Sequence, residues 1–326
     1  MTRLDVRRES WPIRGSFAIS RGSRTATEVV VVTLTRDGHT GRGECVPYPR
    51  YGETVEGVIA DIESLRARLA AGLDREVLQT ALPAGAARNA VDCAFWDLEA
   101  KRAGKRVFEL AGLAAPKPLI TAYTLSLDAP DAMGRAAAEN AHRPLLKLKV
   151  TGEGDLERVR AVRTNAPNSQ LVVDANEAWT PEQFTRFVPE LAGLGVAMIE
   201  QPLPATADAP LASLKRSIPV CADESCHDTA TLEGLVGRYD MINIKLDKTG
   251  GLTEALKLRH AAKGKGLGIM VGCMIATSLS MAPAILVAQG AEVVDLDGPL
   301  LLARDRDAGL RYEGSTVYPA EAVLWG

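Results

Sequence analysis

The 326-residue chain has no apolar run long enough to cross a bilayer; its longest, Val29 to Leu34 and Ile269 to Ala276, are strand-sized. Its opening residues, MTRLDVRRESWPIRG, lack the apolar core of a secretory signal. Histidine is scarce, with four residues at 39, 142, 227 and 260, which speaks against a histidine-rich metal centre. The five cysteines, at 45, 93, 221, 226 and 273, are odd in number and form no CxxC pair. Neither a disulfide framework nor a zinc ribbon is expected, and a reducing, cytoplasmic setting suits them. Neither charge dominates: 38 Lys+Arg against 41 Asp+Glu leave a formal −3, which removes a basic nucleic-acid binder from first consideration. What remains is ordinary globular composition, 46% apolar and 24% charged. The length suits one large α/β barrel with a smaller domain, or two ordinary domains.

The texture changes near residue 118. Before it, EVVVVTLT (28–35) is β-branched and runs into Asp37-Gly38, a hairpin signal. Helical spacing follows from Val55 to Ala71, and again in AARNAVDCAFWDLEAKRAG, where Ala87, Val91, Ala94, Phe95 and Leu98 share a face. Strands followed by helices predict an α+β unit over 1–117. After residue 118, eight short apolar segments recur: 121–127, 145–150, 171–176, 197–202, 220–225, 241–247, 268–274 and 293–299. Stretches of helical period separate them, among them DLERVRAVRTNA, PEQFTRFVPELAGLG, ATLEGLVGR and LTEALKLRHAAKGKGLG. Eight strands alternating with helices predict a (β/α)8 barrel over 118–302. An open doubly wound sheet ranks second, because no GxGxxG follows the first strand.

In such a barrel the C-terminal strand ends line the active site. Here those ends carry Lys147 and Lys149, Asp174, Glu200, Asp223, Lys245, Cys273, and finally Asp295 with Asp297. From Lys149 the steps to Asp174, Glu200, Asp223 and Lys245 are 25, 26, 23 and 22 residues, one charged group per βα unit. Each acid alone could simply cap the helix that follows. Three on consecutive strands, about 4.8 Å apart, would repel unless protonated or neutralised by a cation. An all-oxygen donor set favours a hard ion, Mg2+ over Zn2+. Lys147 and Lys149 share one strand face, and Lys245 lies across the barrel from them. Like charge and a nearby ion are expected to lower an ammonium pKa toward a working base. Lys248, one step into the loop, is read as solvated.

A base on each side of an ion suits removal of an α-proton from a carboxylate substrate and its return to the opposite face, that is, racemisation or epimerisation. Schiff-base chemistry at a barrel lysine is a competing use, but it needs no three-acid site.

The KxK on the second strand, Asp/Glu/Asp on the next three and Lys on the sixth resemble the pattern of the enolase superfamily, muconate-lactonizing-enzyme subgroup. Within it the chain looks like the L-Ala-D/L-Glu dipeptide epimerases. The similar segments include WPIRGSFAISRGSR, GECVPYPRYGE, KLKV, VDANEAW, IEQPLP, CADES, NIKLDKTGGLTEAL, GCMIATS and DLDGP, and they span residues 11–299. The resemblance implies an enolase-like modified TIM barrel, its mouth capped by residues 1–117 with the C-terminal tail, 303–326. It implies one Mg2+ per subunit on Asp174, Glu200 and Asp223, and acid/base catalysis by Lys149 and Lys245. It gives substrate contact to Lys147, with Asp295 and Asp297 clamping the dipeptide ammonium and Thr124 and Cys273 lining the dipeptide. Arg24, or in its stead Arg21, would take the glutamate side chain, and loops near 15–25 and 45–53, with Tyr48 and Tyr51, would close over it. The implied partner is a small dipeptide, with neither nucleic acid nor membrane, and assembly into a homo-oligomer is left open. Rival readings are an N-acylamino-acid racemase, an o-succinylbenzoate synthase, and a non-catalytic peptide-binding barrel. His227, and the cysteines other than Cys273, receive no role.

Overall fold

In the computed structural model, which describes residues 1–326, the chain begins as a three-stranded antiparallel sheet. Its strands are β1 (Arg3–Ile19), β2 (Gly22–Arg36) and β3 (His39–Cys45). The Asp37-Gly38 turn has φ of 52° and 79°, the left-handed pair a tight hairpin requires. Helices α1 (Val55–Ser64), α2 (Arg66–Ala70), α3 (Arg75–Ala81) and α4 (Ala86–Ala103) follow. The helix expected over 55–71 is thus two pieces, broken at Leu65. Helix α4 lies flat on β3 because Gly41 and Gly43 offer no side chain there; a Cβ at Gly43 would run into the Ala90 carbonyl. The loop expected near 15–25 is largely the end of the β1–β2 hairpin, with an irregularity between Pro12 and Phe17.

After the short α5 (Val107–Leu110) and β4 (Leu119–Ile120) comes one sheet of eight parallel strands. They are β5 (Tyr123–Leu125), β6 (Leu145–Lys149), β7 (Gln170–Asp174), β8 (Val196–Glu200), β9 (Val220–Ala222), β10 (Met241–Ile244), β11 (Gly268–Val271) and β12 (Val293–Val294). Neighbours in sequence are neighbours in the sheet. The sheet curls until Ala122 N–H donates to the Val294 carbonyl at 2.8 Å, joining its two ends. Helices α6 (Pro130–Glu139), α7 (Asp155–Asn165), α8 (Pro181–Gly193), α9 (Leu246–Thr249), α10 (Leu252–Gly264), α11 (Ser278–Ala288) and α12 (Gly298–Leu301) complete it. The helix expected in ATLEGLVGR is only a 3-10 turn at Leu232–Leu235, and the β8–β9 link likewise holds only two such turns. Both segments are too short and too rich in Gly, Pro or Ala-Asp turns to propagate an α-helix.

Strand alternation sorts the side chains. Leu146, Leu148, Leu171, Val173, Ile199, Ile242, Ile244 and Ile269 face the helices in the main core. Ala122, Leu145, Val172, Met198, Cys221, Met241, Met270 and Val293 form a separate inner cluster, one residue from each strand line. Two residues further along each line, on the same inward face, stand Thr124, Lys147, Asp174, Glu200, Asp223, Asn243, Gly272 and Asp295. The polar layer is therefore the inner face of the barrel continued one pleat past its apolar plug. The C-terminal strands β13 (Tyr312–Glu313) and β14 (Thr316–Val317) pair with β4. The chain end returns to α4, where Trp325 donates to the Cys93 carbonyl and Gly326 N–H to Asp97.

Candidate active site

The polar layer is ordered by strand register. Lys149 sits opposite Asp174, and Asp174 opposite Glu200, so the three form one row across β6, β7 and β8; Thr124 pairs Lys147 in the row beneath. Asp223 and Lys245 each follow the last residue of their strands, β9 and β10. Lys149 and Lys245 therefore stand four strands apart in an eight-stranded ring, on opposite sides. Asp295 and Asp297, expected on the last strand, lie just beyond it, because β12 ends at Val294 and the chain turns into α12.

All these side chains are buried. The Lys147 ammonium contacts Glu200 at 2.7 Å, Asp295 at 2.8 Å and Asp174 at 3.1 Å. Lys149 reaches Asp174 Oδ2 at 2.5 Å and Lys245 reaches Asp223 Oδ2 at 2.7 Å. Asn243 donates to Glu200 Oε1 at 2.7 Å. Asp174 also accepts the Asn176 N–H, so it caps the following turn as well as facing the barrel. The three acids turn their oxygens to ammonium groups and, as they stand, enclose no three-carboxylate cage. Their chemistry still suits a hard cation: all donors are oxygen, all are buried, and Glu200 Oε2 has only the Lys147 ammonium against it, without a well-aligned hydrogen bond.

The lowered lysine pKa was expected beside a bound ion; among the carboxylates alone the direction is the reverse. Burial does favour the neutral amine, but the surrounding carboxylates outweigh it, and Lys147 and Lys245 are held well above the ordinary value. Burial works against Asp174 and Asp223 too, yet the adjacent lysines win and keep both carboxyls below their usual range. Glu200 goes the other way, to about 7, through burial and the charge of Asp174. Asp297 also rises to about 7, through burial and the neighbouring Asp295, although Thr124 N–H donates to it at 2.7 Å.

Two residues overlooked in the sequence belong here. Lys248, read as solvated, is fully buried, and its ammonium contacts Asp223 Oδ1 and the Asp223 carbonyl, each at 2.6 Å. The reason is local: α9 turns immediately after Lys245, and Lys248, one turn on, folds back beneath the strand end. Glu224 is buried beside Asp223 and accepts from Arg21 at 2.8 Å.

The cap closes the mouth. Arg21 also donates to the Asn176 carbonyl and to Tyr48, while Arg50 grips Glu177 with two bonds at 2.6 and 2.7 Å. Arg24 makes no hydrogen bond or ion pair, and burial lowers its guanidinium pKa. Beneath the lid lies a cleft lined by Arg24, Tyr48, Tyr51, Thr124, Cys273 and the charged layer. His227, given no role from the sequence, packs edge-on against Tyr51 with ring centroids 4.7 Å apart. The other cysteines, without an assigned role, are buried thiols.

Residues 1–112 match the family model described as "Mandelate racemase / muconate lactonizing enzyme, N-terminal domain", and residues 131–319 match "Enolase C-terminal domain-like". An L-Ala-D/L-Glu epimerase of Escherichia coli K12 is 48% identical over 96% of this chain and 98% of its own. An N-acetyl-D-glutamate racemase of Pseudoalteromonas sp. is 43% identical over 91% and 95%. Among solved structures, an enolase family member from Agrobacterium tumefaciens, with homology to dipeptide epimerases and bound to sodium and L-Ala-L-Glu, is 56% identical over the whole of both chains, with a TM-score of 0.98. A dipeptide epimerase from Enterococcus faecalis, complexed with Mg and L-Leu-L-Tyr, is 29% identical over 98% and 97%, with a TM-score of 0.91.

Proposed function

The chain belongs to the mandelate racemase/muconate lactonizing enzyme family of the enolase superfamily, and from that premise we propose that it is a Mg2+-dependent dipeptide epimerase. It inverts the α-carbon of the C-terminal residue of L-Ala-D/L-Glu by two-base proton transfer. Lys149 takes the α-proton from one face of the substrate and Lys245 returns one to the other; for the opposite epimer the roles exchange. Lys147 binds the substrate carboxylate. Asp174, Glu200 and Asp223 would hold one Mg2+. When bound, the ion supplies the charge that stabilises the developing enolate.

One observation carries the substrate reading. Asp295 and Asp297 are two adjacent buried carboxylates, with Asp295 Oδ1 accepting no hydrogen bond. Lys147 takes Asp295 Oδ2, which leaves two carboxylates with one cation between them, and the free α-ammonium of a dipeptide supplies the second. An N-acylated amino acid has none, yet one close relative is an N-acetyl-D-glutamate racemase, so that activity is the second reading. Arg24, the cation in the cleft without an acidic partner, takes the glutamate side chain. Thr124 and Cys273 line the dipeptide. Residues 1–117 with 303–326 act as the cap and 118–302 as the catalytic barrel. The substrate is a fragment of murein peptides, so the activity serves their recycling in the cytoplasm.

Incubation of L-Ala-L-Glu with enzyme and Mg2+ in deuterium oxide tests this. Proton NMR is expected to show loss of the glutamate α-proton and growth of L-Ala-D-Glu. Turnover of N-acetylglutamate with no change in the dipeptide overturns the substrate assignment; no exchange with either overturns the mechanism.

A further inference from the structure

Asp223 is held from two sides, at its backbone and at its carboxylate, and Asp174 is not. Its backbone N–H donates to Gln201 Oε1 at 2.9 Å, and Gln201 is itself pinned by the Ser225 hydroxyl, the Tyr239 hydroxyl and the Leu203 carbonyl. Gln201 holds a left-handed φ of 36° to reach this position. From the other side, the Lys248 ammonium spans Asp223 Oδ1 and O at 2.6 Å and the Asn243 carbonyl at 2.9 Å. All three donor hydrogens of the ammonium are thereby used. Asp223 Oδ2 is left to Lys245. Asp174 has no such fixed partner: its Oδ2 is shared by Lys147 and Lys149, and its Oδ1 accepts only from Asn176.

We propose that Lys248 is a positioning residue: it fixes which oxygen of Asp223 faces the cleft, and through Asp223 it sets the place of Lys245 and of the ion. The inference rests on the reading that Asp223 binds Mg2+ and Lys245 is one of the two bases. Its contacts are saturated and it does not line the cleft, so it acts through Asp223 and not on substrate. The two bases are therefore supported unequally, Lys245 by a carboxylate clamped on both sides and Lys149 by one that is shared.

The test is Lys248→Met, with Mg2+ binding followed by calorimetry and α-proton exchange in deuterium oxide followed separately from each epimer. On charge alone, removing a cation beside the site would tighten Mg2+ binding. Loss of positioning predicts the reverse, a dissociation constant raised about tenfold or more, and exchange falling further from the epimer served by Lys245 than from that served by Lys149. Unchanged or tighter Mg2+ binding, or equal loss from both epimers, in a folded variant overturns the proposal. A role in stability alone would lower the melting temperature without moving either readout. Should Lys248→Met not fold, Lys248→Arg keeps the charge but cannot set a planar fork on three acceptors converging on one point, and the same readouts apply. A wild-type chain that takes up no Mg2+ overturns the ion assignment instead, and the ratio of exchange between epimers then decides the role of Lys248.

Discussion

Asp297→Asn separates what the site needs for substrate from what the fold needs for stability. Asn keeps the shape and the acceptor for Thr124 N–H but removes the charge. Asp297 is buried, and its pKa rises from 3.8 to about 7. A carboxyl whose folded pKa exceeds its unfolded value burdens the fold once ionised: the penalty is absent below about pH 4, grows toward pH 7 and is complete above it. At about 1.4 kcal/mol per pH unit, the full burden is about 4 kcal/mol, less whatever local relaxation recovers. The asparagine variant is thus expected to be more stable than the parent at pH 8, by about 2–4 kcal/mol, or on the order of 3–6 °C in Tm for a chain this long. Near pH 4 the two should melt together. Catalysis should move the other way. Losing one member of a buried ion pair costs about 3–5 kcal/mol, roughly 10²–10⁴-fold in kcat/KM for L-Ala-L-Glu. A substrate without an α-ammonium should lose little. Scanning calorimetry at pH 4 and 8, with kinetics on the dipeptide and on N-acetylglutamate, checks both halves. A variant no more stable at pH 8, or one that loses both substrates alike, refutes the reasoning.

Lys149→Ala and Lys245→Ala should each slow α-proton removal from one epimer by about 10²–10⁴-fold; NMR exchange rates starting from each pure epimer check this, and equal losses from both would contradict bases on opposite faces. Arg24→Ala should raise KM for L-Ala-L-Glu at least tenfold while sparing dipeptides with an apolar C-terminal residue, and a uniform loss across a dipeptide panel would remove Arg24 from the specificity site. Arg21→Ala breaks the bridge to Glu224 and the Asn176 carbonyl; it should raise KM for all dipeptides alike and speed proteolysis at the lid, and an unchanged digestion pattern would show that the bridge does not hold it shut. Gly43→Ala drives a methyl group into the α4 backbone, and a loss of about 1–3 kcal/mol should appear in denaturant melts; full parental stability would mean α4 can shift freely.

The barrel was legible because its alternation is simple. Each strand line but the seventh, which has Gly272, carries an apolar inward residue followed two positions later by a polar one, and a spacing of 22–26 residues between the central charges betrays the repeat. Lys149, Asp174 and Glu200 could be set in one row from sequence because they fall on true strands. Lys248 could not, since its burial depends on a one-turn helix that reverses the chain just after β10. The Asp247-Lys248-Thr-Gly-Gly stretch held the signal: paired glycines at φ of 74° and 115° stop a short helix and start another. The Arg21, Glu177 and Glu224 bridge was equally hidden, because it joins residues more than 150 positions apart, and no local pattern encodes such a meeting. The pull of the encircling carboxylates on Lys147 and Lys245 was hidden as well, because it depends on contacts made between strands.

The apolar plug of Ala122, Leu145, Val172, Met198, Cys221, Met241, Met270 and Val293 makes the cylinder a blind well with a single doorway. Both epimers must arrive and depart by that doorway, past the same hairpin and tyrosines. A slow swing of the lid therefore taxes forward and reverse turnover alike. Under that condition the bound molecule passes back and forth between its two configurations before release, and the mixture that leaves in the first turnovers reflects the balance inside the well.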